Sequence, residues 1–317
     1  MDGQLVRGRA QLALSLVALA ACVLTVGISG ASFTDTTQNP QTISADADFL
    51  PPTASASVIG KTQGGVPGYV KKSGTYYVYA NVSDSGNPAS GIASVKANVS
   101  ALTSGQTAVA LAAGSYSAGG VSYNYRSAQL TAASTLSAGS KAYSLALTDQ
   151  AGNSGSQSFS VTADNGPFAA AEIGTENHSG GTAGKAEKGD TVTYTFNKAV
   201  DPASIVSGWD GSGTKSVTVS IADSASNDAL TVSGATIGSV ALGGNFTTSG
   251  KTTTFTSSTL SVSGETVTVV LGTDSAGNAK SETSKTKPVW TPSTSNYDPA
   301  ANACSSATVS GENVRQF

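Results

Sequence analysis

The residue types that could do chemistry are few in this sequence. His178 is the single histidine. It lies in Glu176-Asn177-His178-Ser179-Gly180-Gly181, a Gly-rich run. A Ser/His/Asp triad needs an imidazole fixed in one orientation. No Gly-x-Ser-x-Gly elbow between a strand and a helix accompanies it. The first reading of His178 is therefore a loop residue, and no catalytic residue is expected. Two acid pairs, Asp46/Asp48 and Asp223/Asp228, are of the type a glycosidase uses. Such an enzyme holds two carboxyls about 5–10 Å apart across a cleft. Both pairs fall in loop segments and read as solvated turn acids. Asp84, Asp149 and Asn153 are the calcium candidates. Calcium takes six to eight oxygens from carboxylates, amides and carbonyls, and a β-sandwich gathers its loops at two ends. The acids per loop are few and there is no Asp-x-Asp-x-Asp-Gly run. Turn-capping is therefore the first reading of these residues and bound calcium the second. No other cofactor is expected.

Aromatic residues offer a second kind of site. Trp209, in Val206-Ser207-Gly208-Trp209-Asp210-Gly211, reads first as core and second as a carbohydrate platform. Tyr77 and Tyr79 fall on the strand face opposite Tyr76. An open face there would make them a ligand patch; a covered face would make them packing residues.

Composition excludes several functions. Of 317 residues only 37 are charged, 17 basic and 20 acidic. The four Arg and 13 Lys are scattered, and net charge is −3, so no footprint for nucleic acid exists. Two Cys and one His cannot build a Cys/His zinc site. Apolar content of 38 % with 18 Tyr and Phe is enough to bury a core.

The elements that must position these residues read as strands. Tyr76, Val78, Ala80 and Val82 alternate along one run, as do Val95/Ala97/Val99, Tyr143/Leu145/Leu147 and Phe159/Val161. The same holds for Val192/Tyr194/Phe196, Val217/Val219/Ile221 and Val267/Val269/Leu271. A period of two marks a half-buried strand. Ser and Thr, 86 residues together, fill most opposite faces, where Thr suits a pleated surface without adding charge. Many short strands between Gly/Asn/Asp/Ser turns predict an all-β chain of sandwich or barrel type. An internal echo divides it. Leu147-Thr148-Asp149-Gln150-Ala151-Gly152-Asn153 matches Leu271-Gly272-Thr273-Asp274-Ser275-Ala276-Gly277-Asn278, and Asp298-Pro299-Ala300-Ala301-Asn302 is a weaker third copy. Each reads as a turn in which Asp accepts from backbone amides and Gly supplies a positive φ. With few Lys along its strands, self-association edge to edge is a further expectation.

The N-terminus has the layout of an export signal. Arg7 and Arg9 precede an apolar run from Ala10 to Ile28. Cleavage between Ala31 and Ser32 fits the small residues Ser29 and Ala31. Leu19-Ala20-Ala21-Cys22 also reads as a lipobox, with Cys22 acylated. A retained anchor is the third outcome, since a spanning helix needs about 20 apolar residues. The membrane is then met only through this segment. Without Cys22, Cys304 has no intrachain partner and reads as a half-buried small residue or as an intermolecular disulfide.

Two resemblances extend these readings. Gly30-Ala31-Ser32-Phe33-Thr34-Asp35-Thr36, Asn39 and Thr42 to Phe49 resemble the signal region of proteins processed by the SipW type of signal peptidase, the group of camelysin and TasA. In the first module, Ser83-Asp84-Ser85-Gly86, Ser90 to Val95, and Tyr143 to Asn153 resemble bacterial Ig-like domains. In the second, Gly189 to Phe196 and Val200-Asp201-Pro202-Ala203-Ser204-Ile205 are similar to Ig-like domains of surface-layer type proteins. The resemblance implies two tandem Ig-like antiparallel β-sandwiches. The expected divisions are a signal over 1–31, a linker over 32–52, and sandwiches over 53–165 and 166–317. With the export signal, the strand pattern and the absence of a reactive constellation, the expectation is a secreted or cell-surface protein of a Gram-positive bacterium, non-catalytic, with a structural or adhesive role; a carbohydrate- or protein-binding module of the cell envelope is the alternative, and a secreted hydrolase the third reading. Its partner would be an extracellular protein or a glycan.

Overall fold

The computed structural model describes residues 48–61 and 65–317. The signal segment, with Cys22 and Ala31, and the linker as far as residue 47, with Ser32 and Asp46, lie outside the described residues. Nine strands come first: β1 (Thr53–Gly60), β2 (Tyr69–Val70), β3 (Thr75–Ser83), β4 (Ile92–Asn98), β5 (Val109–Ala118), β6 (Val121–Ser127), β7 (Leu130–Thr131), β8 (Gly139–Asp149) and β9 (Ser154–Ala163). They form one sheet in the order β1-β3-β6-β5-β4-β8-β9-β2, with β7 on β3. Every pairing is antiparallel except the short β2–β9 contact.

The second set opens with β10 (Ala170–Glu176) and β11 (Thr191–Phe196), then the short helix α1 (Pro202–Ile205). It continues with β12 (Lys215–Ala222), β13 (Ala229–Ser233), β14 (Ser239–Ala241), β15 (Thr252–Ser263) and β16 (Thr266–Val270). The last three are β17 (Thr273–Asp274), β18 (Val289–Thr291) and β19 (Val309–Ser310). The order is β10-β11-β16-β15-β12-β13-β14-β18-β19, with β17 on β15. In each set the sheet curls back on itself: β1 lies against β9, and β10 against β19. The described residues are thus nearly all β, with two sheets of barrel-like or sandwich shape.

Strand periodicity explains the packing. Tyr76, Val78, Ala80 and Val82 of β3 are buried, as are Tyr143, Leu145 and Leu147 of β8. They belong to one core, and Val192, Tyr194, Phe196, Val267 and Val269 belong to another. The second core centres on Trp290, which is fully buried. Its ring meets Tyr194 and Phe196 edge-on at 5.1 Å each, and its Nε1 donates to Ile237 O at 2.8 Å. That bond satisfies the one polar atom of a large buried ring.

Candidate metal centre

Pairing at one end of the first sheet gathers three acids. Thr53 pairs with Ser83, so the segment before β1 and the loop after β3 start side by side. Ile92 pairs with Asp149, which brings the end of β8 to the same place. Asp48, Asp84 and Asp149 each contribute a carboxylate oxygen, and these atoms lie within 4.8 Å of one another. Asp48 Oδ1 accepts from Leu50 N at 3.0 Å, and its Oδ2 accepts from Ser90 N and Ser90 Oγ, both at 3.0 Å. Asp84 Oδ2 accepts from Gly91 N at 2.7 Å. Asp84 Oδ1 is sealed from solvent and has no hydrogen-bond partner among the described residues. Asp149 Oδ1 and Oδ2 accept from Asn153 N at 2.8 Å and Asn153 Nδ2 at 2.9 Å. Gly86 leaves room for this: a Cβ there would collide with the Asp48 carboxyl.

Two expectations change here. Asp48 is 6 % exposed and is not a solvated turn acid. It lies within the 32–52 segment expected as linker, yet its carboxyl fastens the loop before β4. Asn153 faces the cluster with its amide nitrogen, donating also to Asp48 O at 2.6 Å. A cation needs oxygens there, so Asn153 orients Asp149 and is not placed as a ligand through that atom. The amides of Ser90 and Leu50 hold the Asp48 carboxyl below the usual range. None of the three acids takes part in a salt bridge among the described residues.

The second sheet repeats the construction. Asp48-Phe49-Leu50-Pro51 before β1 has a counterpart in Asp164-Asn165-Gly166-Pro167 before β10. Asp164 Oδ1 accepts from Gly166 N at 2.9 Å, the same two-residue turn as at Asp48. Asp298 accepts from Asn302 N and Asn302 Nδ2, both at 2.8 Å, and Asn302 Nδ2 reaches Asp164 O at 3.1 Å. Asp201, in the loop after β11, stands where Asp84 follows β3. Its Oδ1 accepts from Ala203 N at 3.1 Å and caps α1. Its Oδ2 accepts from Gly65 N of the first set at 2.9 Å. Burial pushes the Asp201 carboxyl up; those two amides oppose the rise and neighbouring Asp298 adds to it.

One residue distinguishes the two clusters. Four residues, Asn197 to Val200, separate β11 from Asp201, whereas Asp84 follows β3 directly. They carry Lys198, whose Nζ lies 2.9 and 3.0 Å from the Asp164 oxygens, 2.9 Å from Gly166 O and 3.5 Å from Asp298 Oδ2. Burial raises the Asp164 carboxyl, but the Lys198 ammonium and the Gly166 amide outweigh it and leave it below its ordinary value.

The remaining candidates fall elsewhere. His178 is held more firmly than a loop residue: its Nδ1 lies 2.8 Å from Asp190 Oδ1, and Asp190 is fully buried. Asp190 also accepts from His178 N and Glu187 N. A shallow groove of about 330 Å³ beside the ring is lined by Lys185, Glu187, Lys188, Thr273 and Asp274. No hydroxyl or thiol is hydrogen-bonded to the other ring nitrogen among the described residues. Asp228 is another correction to the solvated reading, being fully buried. It accepts from Phe246 N, Thr247 N and Ser224 N at 2.6, 2.8 and 3.2 Å. Asp223 accepts from Gly250 N at 2.7 Å.

The aromatic platform is likewise corrected. Trp209 is 2 % exposed, with Nε1 donating to Ser212 O, so no ligand reaches its face. Tyr79 is fully buried, and its ring packs 5.6 Å from that of Tyr123 on the hairpin of β5 and β6. Tyr77 is half-buried, and Arg126 sits between it and Tyr116, 4.7 and 4.4 Å from the ring centres. Cys304 is buried, and burial pushes its thiol up, so an intermolecular disulfide would require the chain to open there.

No protein-family model matches the chain, and no curated protein is significantly similar to it.

Proposed function

We propose that this chain is a non-catalytic, exported surface or extracellular protein of a Gram-positive bacterium, whose two Ig-like modules serve a structural or adhesive role. The observation that carries this reading is the use made of its buried acids. Asp48, Asp149, Asp190, Asp201, Asp228 and Asp298 are all buried, and each accepts from backbone amides of a nearby turn or loop. Carboxylates so engaged fasten loops to strands, as a load-resisting or surface-presenting module requires. The layout at Arg7 to Ser32 supplies the export part. The experiment is fractionation of a Gram-positive host making the chain, with the mature N-terminus read by mass spectrometry. A start at Ser32, or a lipidated Cys22, at the surface or in the medium is the expected result. An intact chain confined to the cytoplasm overturns it.

A second reading, a secreted hydrolase, has one observation in its favour: the buried Asp190 orients His178 beside a groove, as the acid of a triad would. It predicts esterase or glycosidase turnover abolished by His178→Ala. A broad substrate screen with no turnover by the wild-type chain removes it.

A further inference from the structure

We propose that Arg126, held between tyrosines on the outer face of the first sheet, binds a carboxylate borne by a sugar, the uronic acid residue of a polysaccharide. The inference gives the adhesive reading a contact but does not depend on it, since binding is measured on the purified chain.

Four observations carry it. The first is isolation. Arg126 is the only charged residue of β1, β3, β5 and β6. It takes part in no salt bridge among the described residues, and the one guanidinium hydrogen bond among them belongs to Arg315. A guanidinium carries five donors and does not shed its charge, so this half-buried one is open to an anion from outside. The second is rigidity. Register sets Arg126 opposite Tyr79 on β3 and Ala112 on β5. Its guanidinium lies between the rings of Tyr77 and Tyr116, and such stacking fixes the plane of the fork. Tyr116 reaches that place because β5 shifts register between Ala113 and Tyr116 and because Gly114 has no side chain. A Cβ at Gly114 would stand 2.8 Å from Tyr116 Cζ and Oη. The third is Tyr79 Oη, sealed from solvent and without a hydrogen-bond partner among the described residues. Burial pushes this phenol up and the Arg126 guanidinium opposes the rise, so the two groups are neighbours. A buried hydroxyl of this kind calls for a partner, and a carboxylate drawn to the guanidinium brings an acceptor beside it. The fourth is the second sheet, in which β11 and β16 stand where β3 and β6 stand in the first. Its outer face there carries Thr193 and Thr195 opposite Thr268 and Thr266. The fold closes with a plain threonine ladder at that place, so the clamped arginine is not a requirement of the architecture.

The surroundings select the ligand class. A planar guanidinium fork matches a carboxylate through two parallel hydrogen bonds. Exposed positions of these strands, such as Ser55, Ala113, Ser115, Ser122 and Asn124, are small or neutral and polar. An acidic peptide or a nucleic acid carries closely spaced charges and calls for several cations. One fork among hydroxyls and amides fits one carboxylate on a neutral, hydroxylated body. The guanidinium already occupies ring faces of Tyr77 and Tyr116, so the sugar meets Arg126 through its carboxylate and not through stacking.

The test is calorimetric titration of residues 32–317, which include every described residue. The probes are sodium glucuronate, a hexasaccharide in which glucuronate alternates with a neutral sugar, the same hexasaccharide methyl-esterified, inorganic phosphate and hexaglutamate. The expected result is that the hexasaccharide binds, and that esterification weakens it about tenfold or more. Arg126→Lys keeps the charge and loses the fork, and should weaken it about as much. Glucuronate bound as tightly as the hexasaccharide supports the site with the free sugar acid as its ligand; weaker binding supports the polymer. Absence of binding of either acid by the wild-type chain overturns the proposal. So does equal binding of the ester, full affinity in Arg126→Lys, or tighter binding of phosphate or hexaglutamate than of the hexasaccharide. Should Arg126→Lys not fold, the comparison of acid with ester on the wild-type chain decides by itself.

Discussion

Lys198 shows what a single charge does in this protein. Its ammonium stands between Asp164, which is partly exposed, and Asp298, which is fully buried. Removing one partner of such a pair leaves the other charge uncompensated, which costs more than the pair contributes. Lys198→Met keeps the stem and removes the charge. It should lower stability by about 1–3 kcal/mol, scaled down from a fully buried pair because Lys198 and Asp164 reach water. Urea unfolding at pH 7 measures this. The pH dependence has a definite sign. Asp164 lies below its ordinary value of 3.8, so its contribution is present above that pH and is lost as pH falls through the folded value. The wild-type chain should therefore lose stability more steeply than Lys198→Met below about pH 4. At the alkaline end the tyrosines report. Burial pushes up Tyr76, Tyr79, Tyr123, Tyr143 and Tyr194, Tyr143 to about 12. These five of the ten tyrosines should stay un-ionised past pH 10 and titrate together with unfolding. Absorbance at alkaline pH, compared in water and in denaturant, checks this.

At the scale of the element, the Asp-x-x-x-Asn turn is the unit that recurs, and it makes a matched pair of predictions. In the first copy Gly152 has φ +93°; in the copy at Asp298 the same position is Ala301, with φ +64°. A residue with a Cβ is strained in that region by about 1–2 kcal/mol, and glycine is not. Gly152→Ala meets nothing within 4 Å of its new Cβ, so its cost is backbone alone. It should destabilise by about 1–2 kcal/mol, while Ala301→Gly should stabilise by up to about 1 kcal/mol. Chemical denaturation of both variants reads the two signs. The same turn marks how far the sequence could be read. Alternation of apolar residues located the core strands because burial on one face enforces a period of two. The motif at Asp149 was visible for the same local reason: Asp, Gly and Asn have turn preferences of their own. The better match in letters, Leu271 to Asn278, is a different turn in space. There Asp274 accepts from Ala276 N, Gly277 N and Ala279 N, and Asn278 Nδ2 turns to Thr252 O. The weaker match at Asp298 carries the geometry. Asp48 was hidden in another way. It joins the cluster through contacts with Ser90 and Asn153, 42 and 105 residues away, and no local pattern encodes those.

For the whole molecule, the sparse charge acquires a physical use. Among the described residues six aspartates are buried as fasteners, and four of these, Asp48, Asp149, Asp201 and Asp298, stand in the two clusters. The second cluster also meets the first set of strands. Gly65 N donates to Asp201, Val66 N to Pro299 O at 2.8 Å, and Lys71 Nζ to Ala301 O. No named strand of one set pairs with a strand of the other, and the two cores are separate. Each set should therefore fold alone, provided its leading aspartate is kept. A division at residues 165 and 166 severs Asp164 from Lys198, and a start at residue 53 removes Asp48 from Ser90. The expectation is that fragment 164–317 unfolds cooperatively and is more stable than fragment 166–317 by about 1–3 kcal/mol, the worth of the Asp164 contacts. Fragment 48–163 should exceed fragment 53–163 in stability by the worth of the hydrogen bonds that Asp48 accepts from Ser90. Equal stability of 164–317 and 166–317 in urea would mean that Asp164 merely borders the second module and does not belong to it.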